Sequence, residues 1–421
     1  MLTKINYNVE KKSNKYYLII GVIGLILSIV WCSIVSPKLF SDFEYYYNLA
    51  VDIANGKPWG DTYTSVGYPI ALGFLFKIFG ASTLVAKIFN IVLTVISYYL
   101  VYSILDKLEI SEISKKVIFT MFVVFPISIY YNNLVATEII FSTMVLLVTN
   151  VYLSDIKYKY IILGVLIGMN TIVKPFFMCI CFGFFLVDSI TSKKIIKSLV
   201  NSLIAFIVAA IVIAPWCYRN TKLTGELTFV SNNGGIVLYI NNNSQNNVGR
   251  WMPAEDVENS IVKTEEYINA NMTKRNKMLS KAAKQWIREN PKHFMELGFL
   301  RLVNTYGTAG DSYYTTYESG LNDSQKNIIY SIANKAKQIV FYPGILFILL
   351  YSVYILINLI KRSTENINKF MLYCCVIFYM FTCVYFITEG QARYSFPVIF
   401  PLIYCFNYLL NILIRKVKEL L

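Results

Sequence analysis

SLVNSLIAFIVAAIVIAPW, residues 198–216, runs nineteen positions without a charge and ends on Pro215-Trp216. A bilayer core takes about 20 apolar residues in a helix, whereas a buried core helix is usually shorter. The pattern recurs. Apolar runs of comparable length fall near 17–35, 84–105, 117–134, 136–153, 160–173, 175–190, 340–360, 370–387 and 395–414. Together with 198–216 they predict an α-helical polytopic membrane protein of about ten transmembrane helices. The composition agrees: of 421 residues 56% are hydrophobic and 15% charged, against about 25% charged in a soluble domain.

The net charge of +14 invites a nucleic-acid reading, but the basic residues fall in the wrong places for one. They cluster in short segments between runs: Lys4, Lys11, Lys12 and Lys15; Lys107, Lys115 and Lys116; Lys157 and Lys159; Lys193, Lys194 and Lys197; Lys361, Arg362 and Lys369; Arg415, Lys416 and Lys418. With ten spans these segments all lie on one side, and the positive-inside bias makes that side the cytoplasm. Both termini are then cytoplasmic, in a plasma membrane, with membrane lipids as partners and no nucleic acid. The first apolar run has a basic flank and no small-residue cleavage site, which reads as a retained anchor. Abundant Ile, Lys, Asn and Tyr point to an AT-rich genome and so to a bacterium. The eight cysteines lie in or beside apolar runs without CxxC pairs, as small apolar residues would, and the single His293 rules out a His-based metal site.

Three parts follow: an N-terminal membrane module (1–216) carrying a first outer loop (36–83), an extracytoplasmic cap (217–339), and C-terminal membrane helices (340–421). In the first loop, Asp42, Tyr46 and Ala50 repeat at i, i+4 and i+8 on one helix face, with Ser41-Asp42 as a natural N-cap pair and Gly56-Lys57-Pro58 as a stop. A second amphipathic piece, Tyr68 to Phe79, is too short to span and is placed in the interface. The cap contains LTFVSNNGGIVLYINNN (227–243), a β-like run broken by a turn, followed by a helical period over 264–303. A small α/β cap is the expectation.

Ionisable groups at the ends of apolar runs are costly unless paired, and mark functional sites. Glu138, Lys174, Arg219 and Arg393 all fall at the same outer level as Asp42 by this topology.

On these residues the chain resembles the GT-C superfamily of integral-membrane glycosyltransferases. It is most similar to the branch of protein O-mannosyltransferases and the lipid A aminoarabinose transferase. Asp42, Tyr46 and Ala50 match the Asp-x3-Tyr-x3-Ala first-loop motif, although Phe43 stands where many members have Glu and Glu44 comes one later. GYPIALGFLFKIFG, ATEIIFSTM, Lys174-Pro175, APWCYRNTKLTGELTFVSNNGGIVLYINNN, AAKQWIRENPKHFMEL and ARYSFPVIFP follow in the family's order. The resemblance covers about residues 35–405. It implies a sugar transferred with inversion from a polyprenyl-phosphate donor to a glycan, lipid or protein acceptor, with Asp42 as catalytic base. Glu44, Tyr46, Glu138, Lys174, Arg219, Asn220, Arg393 and Tyr394 then bind the donor. No cofactor is required by this chemistry; a divalent cation between Asp42 and Glu44 is compatible with it, although no further ligand stands nearby in the sequence.

Two other classes share parts of the pattern. A polysaccharide polymerase or ligase also uses polyprenyl-linked glycan at the outer face, but by outer-loop Arg and His pairs. A lipid-linked glycan transporter or flippase would show repeats and broken helices at the midplane, and no repeat is visible.

Overall fold

The structure, a computed structural model, describes residues 2–420, with side chains from 14 to 419, so those of Lys4, Lys11 and Lys12 lie outside the described set. Its α-helices begin with α1 (Leu2–Ile34), α2 (Ser41–Ala54), α3 (Gly67–Phe79), α4 (Thr83–Asp106), α5 (Glu112–Val123), α6 (Pro126–Tyr130), α7 (Glu138–Tyr152) and α8 (Lys159–Val173). They continue with α9 (Ile180–Ser192), α10 (Ile195–Thr224), α11 (Gly234–Asn241), α12 (Glu265–Asn269) and α13 (Met272–Glu289). The last four are α14 (Pro291–Leu302), α15 (Asp323–Ile360), α16 (Lys369–Ile387) and α17 (Ile399–Leu420).

Every predicted apolar run is helical, but the count of ten spans is corrected. Among the described residues seven helical stretches are long and apolar enough to cross a membrane, or eight if α5 and the segment Pro126–Asn133 form one span bent by 42°. The bend sits at Pro126, which cannot continue the hydrogen-bond ladder of α5. Runs 136–153 and 160–173 became the shorter helices α7 and α8. At 1.5 Å per residue, fifteen residues reach only about 22 Å, less than the ~30 Å hydrocarbon core. A run of apolar letters does not say where its helix starts or ends: Glu138 opens α7 from inside its run, and Lys174 follows the last residue of α8.

The bundle packs where side chains are small. Gly164 and Gly168, one turn apart on α8, face α10 so closely that a Cβ on either would come 2.6 Å from Val208 or Val212 Cβ. The opposing α10 positions include the fully buried Ala205 and Ala209. Small residues spaced by four let membrane helices approach without a hydrophobic driving force. A buried polar seam ties α4 to the α6–α7 region: Asn90 Nδ2 donates to Leu134 O at 2.6 Å, Thr94 to Asn132 at 2.8 Å, and Ser97 pairs with Thr143 at 2.8 Å. The outward faces are apolar, as Leu18, Val22, Ile26 and Val30 of α1 show.

The α/β cap is also corrected: there is no strand among the described residues. The run 227–243 divides into an irregular stretch and α11, because Ile236–Ile240 is as apolar in a helix as in a strand, and short runs do not distinguish the two. Tertiary packing decides it. Tyr239 and Ile240 bury against Leu279 and Ala283 of α13, with Ala254 and Val257 completing a small separate core. One helix, α15, runs unbroken through the cap boundary expected at 339.

Candidate active site

Four elements separated in sequence meet at one end of the bundle. Asp42 lies in the first turn of α2, Glu138 opens α7, Lys174 follows the last residue of α8, and Arg393 sits in the 3-10 segment Ala392–Val398 that leads into α17. Arg393 donates to Asp42 Oδ2 at 2.9 Å, and its Nε lies 3.9 Å from Glu138 Oε1. Lys174 Nζ lies 3.7 Å from the same Glu138 oxygen and 5.4 Å from the centre of the Tyr394 ring. Glu138 is buried; at the N-terminus of α7, where free N–H groups favour negative charge, it is stabilised by both cations. Its Oε2 nevertheless has no partner. Asp42 differs, since half of its side-chain surface, 50%, is open.

Three of these four groups line a cavity of about 390 Å³; Asp42 reaches it only through its partner Arg393. Glu138, Lys174 and Arg393 line it beside a mostly aromatic and aliphatic wall that includes Phe141, Phe176, Val384 and Phe396. Tyr46 lines it too, one turn beyond Asp42, and burial followed by the neighbouring Asp42 carboxylate pushes its phenol well up, so it stays a neutral donor.

Glu389 belongs to the same cluster and sequence reasoning passed over it. It is buried, lines the cavity, and accepts from Gln391 Nε2 and from the Tyr394 hydroxyl, both at 2.7 Å. Gln391 Oε1 in turn accepts from Arg393 Nε at 2.6 Å. One connected network therefore runs Tyr394–Glu389–Gln391–Arg393–Asp42. The signal was present in TEGQARYSFP, where an acid stands four residues from the basic one, but only the base was read.

Arg301 and two glycines hold this hairpin in place. Arg301 is fully buried and donates to Phe386 O at 2.6 Å, to Asn242 Oδ1 at 2.9 Å, and to Asn241 O. Burial lowers its pKa to about 10, with Glu389 opposing the shift. Gly249 and Gly390 sandwich it: a Cβ on Gly390 would lie 2.4 Å from Arg301 Cα, and the Gly390 N–H donates to Gly249 O at 3.2 Å.

Other expected site residues stand elsewhere. Arg219 stacks on Trp216 at 4.5 Å and donates to the carbonyls of Trp59, Gly60 and Asp61, so its guanidinium secures the first loop rather than joining the Glu138 cluster. Asn220 is fully buried and fastens Phe229 and Val230 through their carbonyls, which places Phe229 in the cavity wall. Glu44 is exposed, two positions after Asp42, and side chains so spaced do not face each other on a helix. Among the described residues no group of three His, Cys, Asp or Glu side chains that could hold a metal ion gathers. The expected Ser41-Asp42 cap is not formed: Phe40 is the cap residue, no side chain caps the turn, and Asp42 turns to Arg393 instead. Ser41 takes a left-handed φ of 47°, a strained conformation of the kind that collects at functional sites.

With this geometry in view, the chain can be set beside known proteins. It superposes on the archaeal oligosaccharyltransferase AglB from Archaeoglobus fulgidus in complex with an inhibitory peptide and a dolichol-phosphate. The identity is 14%, the TM-score 0.50, and the match covers 97% of this chain and 52% of that one. It also matches the apo crystal structure of the Archaeoglobus fulgidus oligosaccharyltransferase, at 12% identity and a TM-score of 0.53, covering 95% and 51%. The chain shares its fold with the membrane part of these structures to that extent. At these identities the likeness carries the fold alone, and the chain spans about half the length of these structures. No protein-family model and no curated protein sequence matches it.

Proposed function

We propose that this chain is a multi-pass membrane glycosyltransferase that moves a sugar from a polyprenyl-phosphate donor to an acceptor hydroxyl at the outer face of the membrane. The observation that carries the reading is the half-open Asp42 carboxylate held by Arg393, which with Lys174 lines a mostly apolar cavity. The fold shared with oligosaccharyltransferases supports it, and the ordered motifs from Asp42 to Arg393 favour the O-mannosyltransferase-like branch. The cavity lies at the bundle end opposite the Lys107, Lys159, Lys194 and Arg362 segments, which on the positive-inside bias makes it extracytoplasmic.

The geometry maps onto a single displacement. The apolar wall around Phe141, Phe176 and Phe396 suits the first isoprene units, and Lys174 and Arg393 suit the phosphate. Asp42 takes the proton of the acceptor hydroxyl as its oxygen attacks the anomeric carbon. The bond from that carbon to the phosphate oxygen breaks, and the phosphate leaves with the electron pair, neutralised by the two cations. Attack opposite the leaving group inverts the anomeric centre. The unpartnered Glu138 Oε2 and the Glu389 carboxylate are placed to accept from sugar hydroxyls, and a free buried acceptor is costly until it is satisfied. The displacement as written calls on no metal, and Asp42 has a guanidinium as its partner.

The test is transfer from a panel of polyprenyl-phosphate sugars by the purified full chain, in the presence and absence of a chelator. Consumption of one donor with release of polyprenyl phosphate supports the reading. Donors that cross the membrane unconsumed would instead favour transport.

A further inference from the structure

The peptide unit joining Ala392 to Arg393 is gripped from both sides by buried charge. Its carbonyl accepts from Lys337 Nζ at 3.1 Å, and its N–H donates to Asp311 Oδ2 at 2.9 Å. Lys337 is 1% exposed and gives its remaining ammonium hydrogens to Thr305 O at 2.6 Å and Thr308 O at 2.8 Å. Asp311 is also 1% exposed, and its other oxygen holds Arg250 at 3.0 Å. A buried lysine amine with no ion-pair carboxylate among the described residues is an expensive way to tie backbone together. A neutral donor would satisfy a carbonyl as well. What the pair adds is orientation: a peptide plane fixed by a cation on one edge and an anion on the other cannot flip, and that plane sets the direction in which the Arg393 side chain leaves the backbone. The guanidinium then reaches Asp42 and the cavity at once, already oriented.

We propose that Lys337 and Asp311 are positioning residues, which act on the site only through the Arg393 peptide. This rests on the reading that Arg393 holds the donor's phosphate. The rival role is a structural tie between α15 and the segment Val303–Gly307.

The test uses the full chain in detergent, with farnesyl phosphate as the probe ligand. Lys337→Met and Asp311→Ala should each weaken its binding about tenfold, as Arg393→Gln does, while in an Arg393→Gln background either should change affinity by less than about twofold. Additive losses in the double variants, or wild-type affinity in the single ones, overturn the proposal. Hydrogen exchange at the Arg393 amide reads the clamp without any ligand: it should quicken at least about tenfold in Lys337→Met, and unchanged exchange overturns the proposal. Should Lys337→Met not fold, Asp311→Ala carries the same comparison. If the wild type does not bind farnesyl phosphate at all, the donor reading fails, and the exchange measurement still decides the clamp.

Discussion

Asp42 and Arg393 stand 351 positions apart in the chain and 2.9 Å apart in space. The pair joins α2 to the segment before α17, so the N-terminal and C-terminal parts of the chain are both needed to build one ion pair. Because Asp42 is half open, its contribution to stability is small, of the order of 0–1 kcal/mol for an exposed pair. Asp42→Asn should therefore fold with a thermal midpoint close to wild type and lose about 10²–10⁴-fold in sugar transfer, the usual value of a positioned base. Full activity in that variant would sink the assignment.

Lys174 and Arg393 share Glu138, so the three should not behave independently. Glu138→Gln removes the negative partner of two cations and should disturb donor affinity. Lys174→Ala should weaken it too, and the double variant should lose less than the two losses summed. Titrating each with a prenyl phosphate gives the coupling directly; strict additivity would show that the three do not form one unit.

Arg301 should matter for stability more than any residue that lines the cavity. Arg301→Met leaves the carbonyls of Phe386 and Asn241 without the guanidinium that donates to them, a loss of about 3–5 kcal/mol by comparison with other broken buried networks. Thermal unfolding in detergent would show it. Arg219→Ala, on a half-exposed loop anchor, should shift the midpoint far less, and equal shifts would contradict the contrast in burial.

Gly168→Leu should separate α8 from α10. Its Cβ alone would lie 2.6 Å from Val212 Cβ, and overpacking of this kind costs about 1–3 kcal/mol or more. The same substitution at Gly21, which has nothing within 4 Å, is the control; the midpoint should fall only for Gly168.

Asp42, Glu138, Lys174 and Arg393 were legible because charges are rare at the ends of apolar runs and their cost flags them. Their meeting in space was inferred from topology, and the structure brings these four together. Arg219 and Asn220 were expected at the donor, yet the remote carbonyls of Trp59, Gly60 and Asp61 take the guanidinium and those of Phe229 and Val230 take the amide, and composition carries no sign of that. Glu389, Asp311, Lys337 and Arg301 went unread for the opposite reason. They stand in polar or helical stretches where a charge is expected to be solvated, and only the three-dimensional path shows them buried. The span count failed at α7 and α8, where hydropathy recorded apolar letters and not helix ends. The strand expected over 227–243 failed because packing against α13, remote in sequence, chose the helix.

Helix α15 starts from the Asn322–Gln325 capping box beside the cap and ends at Ile360 on the opposite side of the bundle, a rod of about 57 Å at 1.5 Å per residue. It bears on how chains of this fold can be recombined. An exchange of caps between relatives, cut at the edge that hydropathy suggests, would sever this rod in mid-length and strand Lys337 on the wrong fragment. Junctions in the turns after Thr224 and around Gly320 would leave the rod whole. A chimera joined there keeps α15 and Lys337 whole but exchanges Asp311, so an incoming cap must bring its own carboxylate for the Arg393 amide.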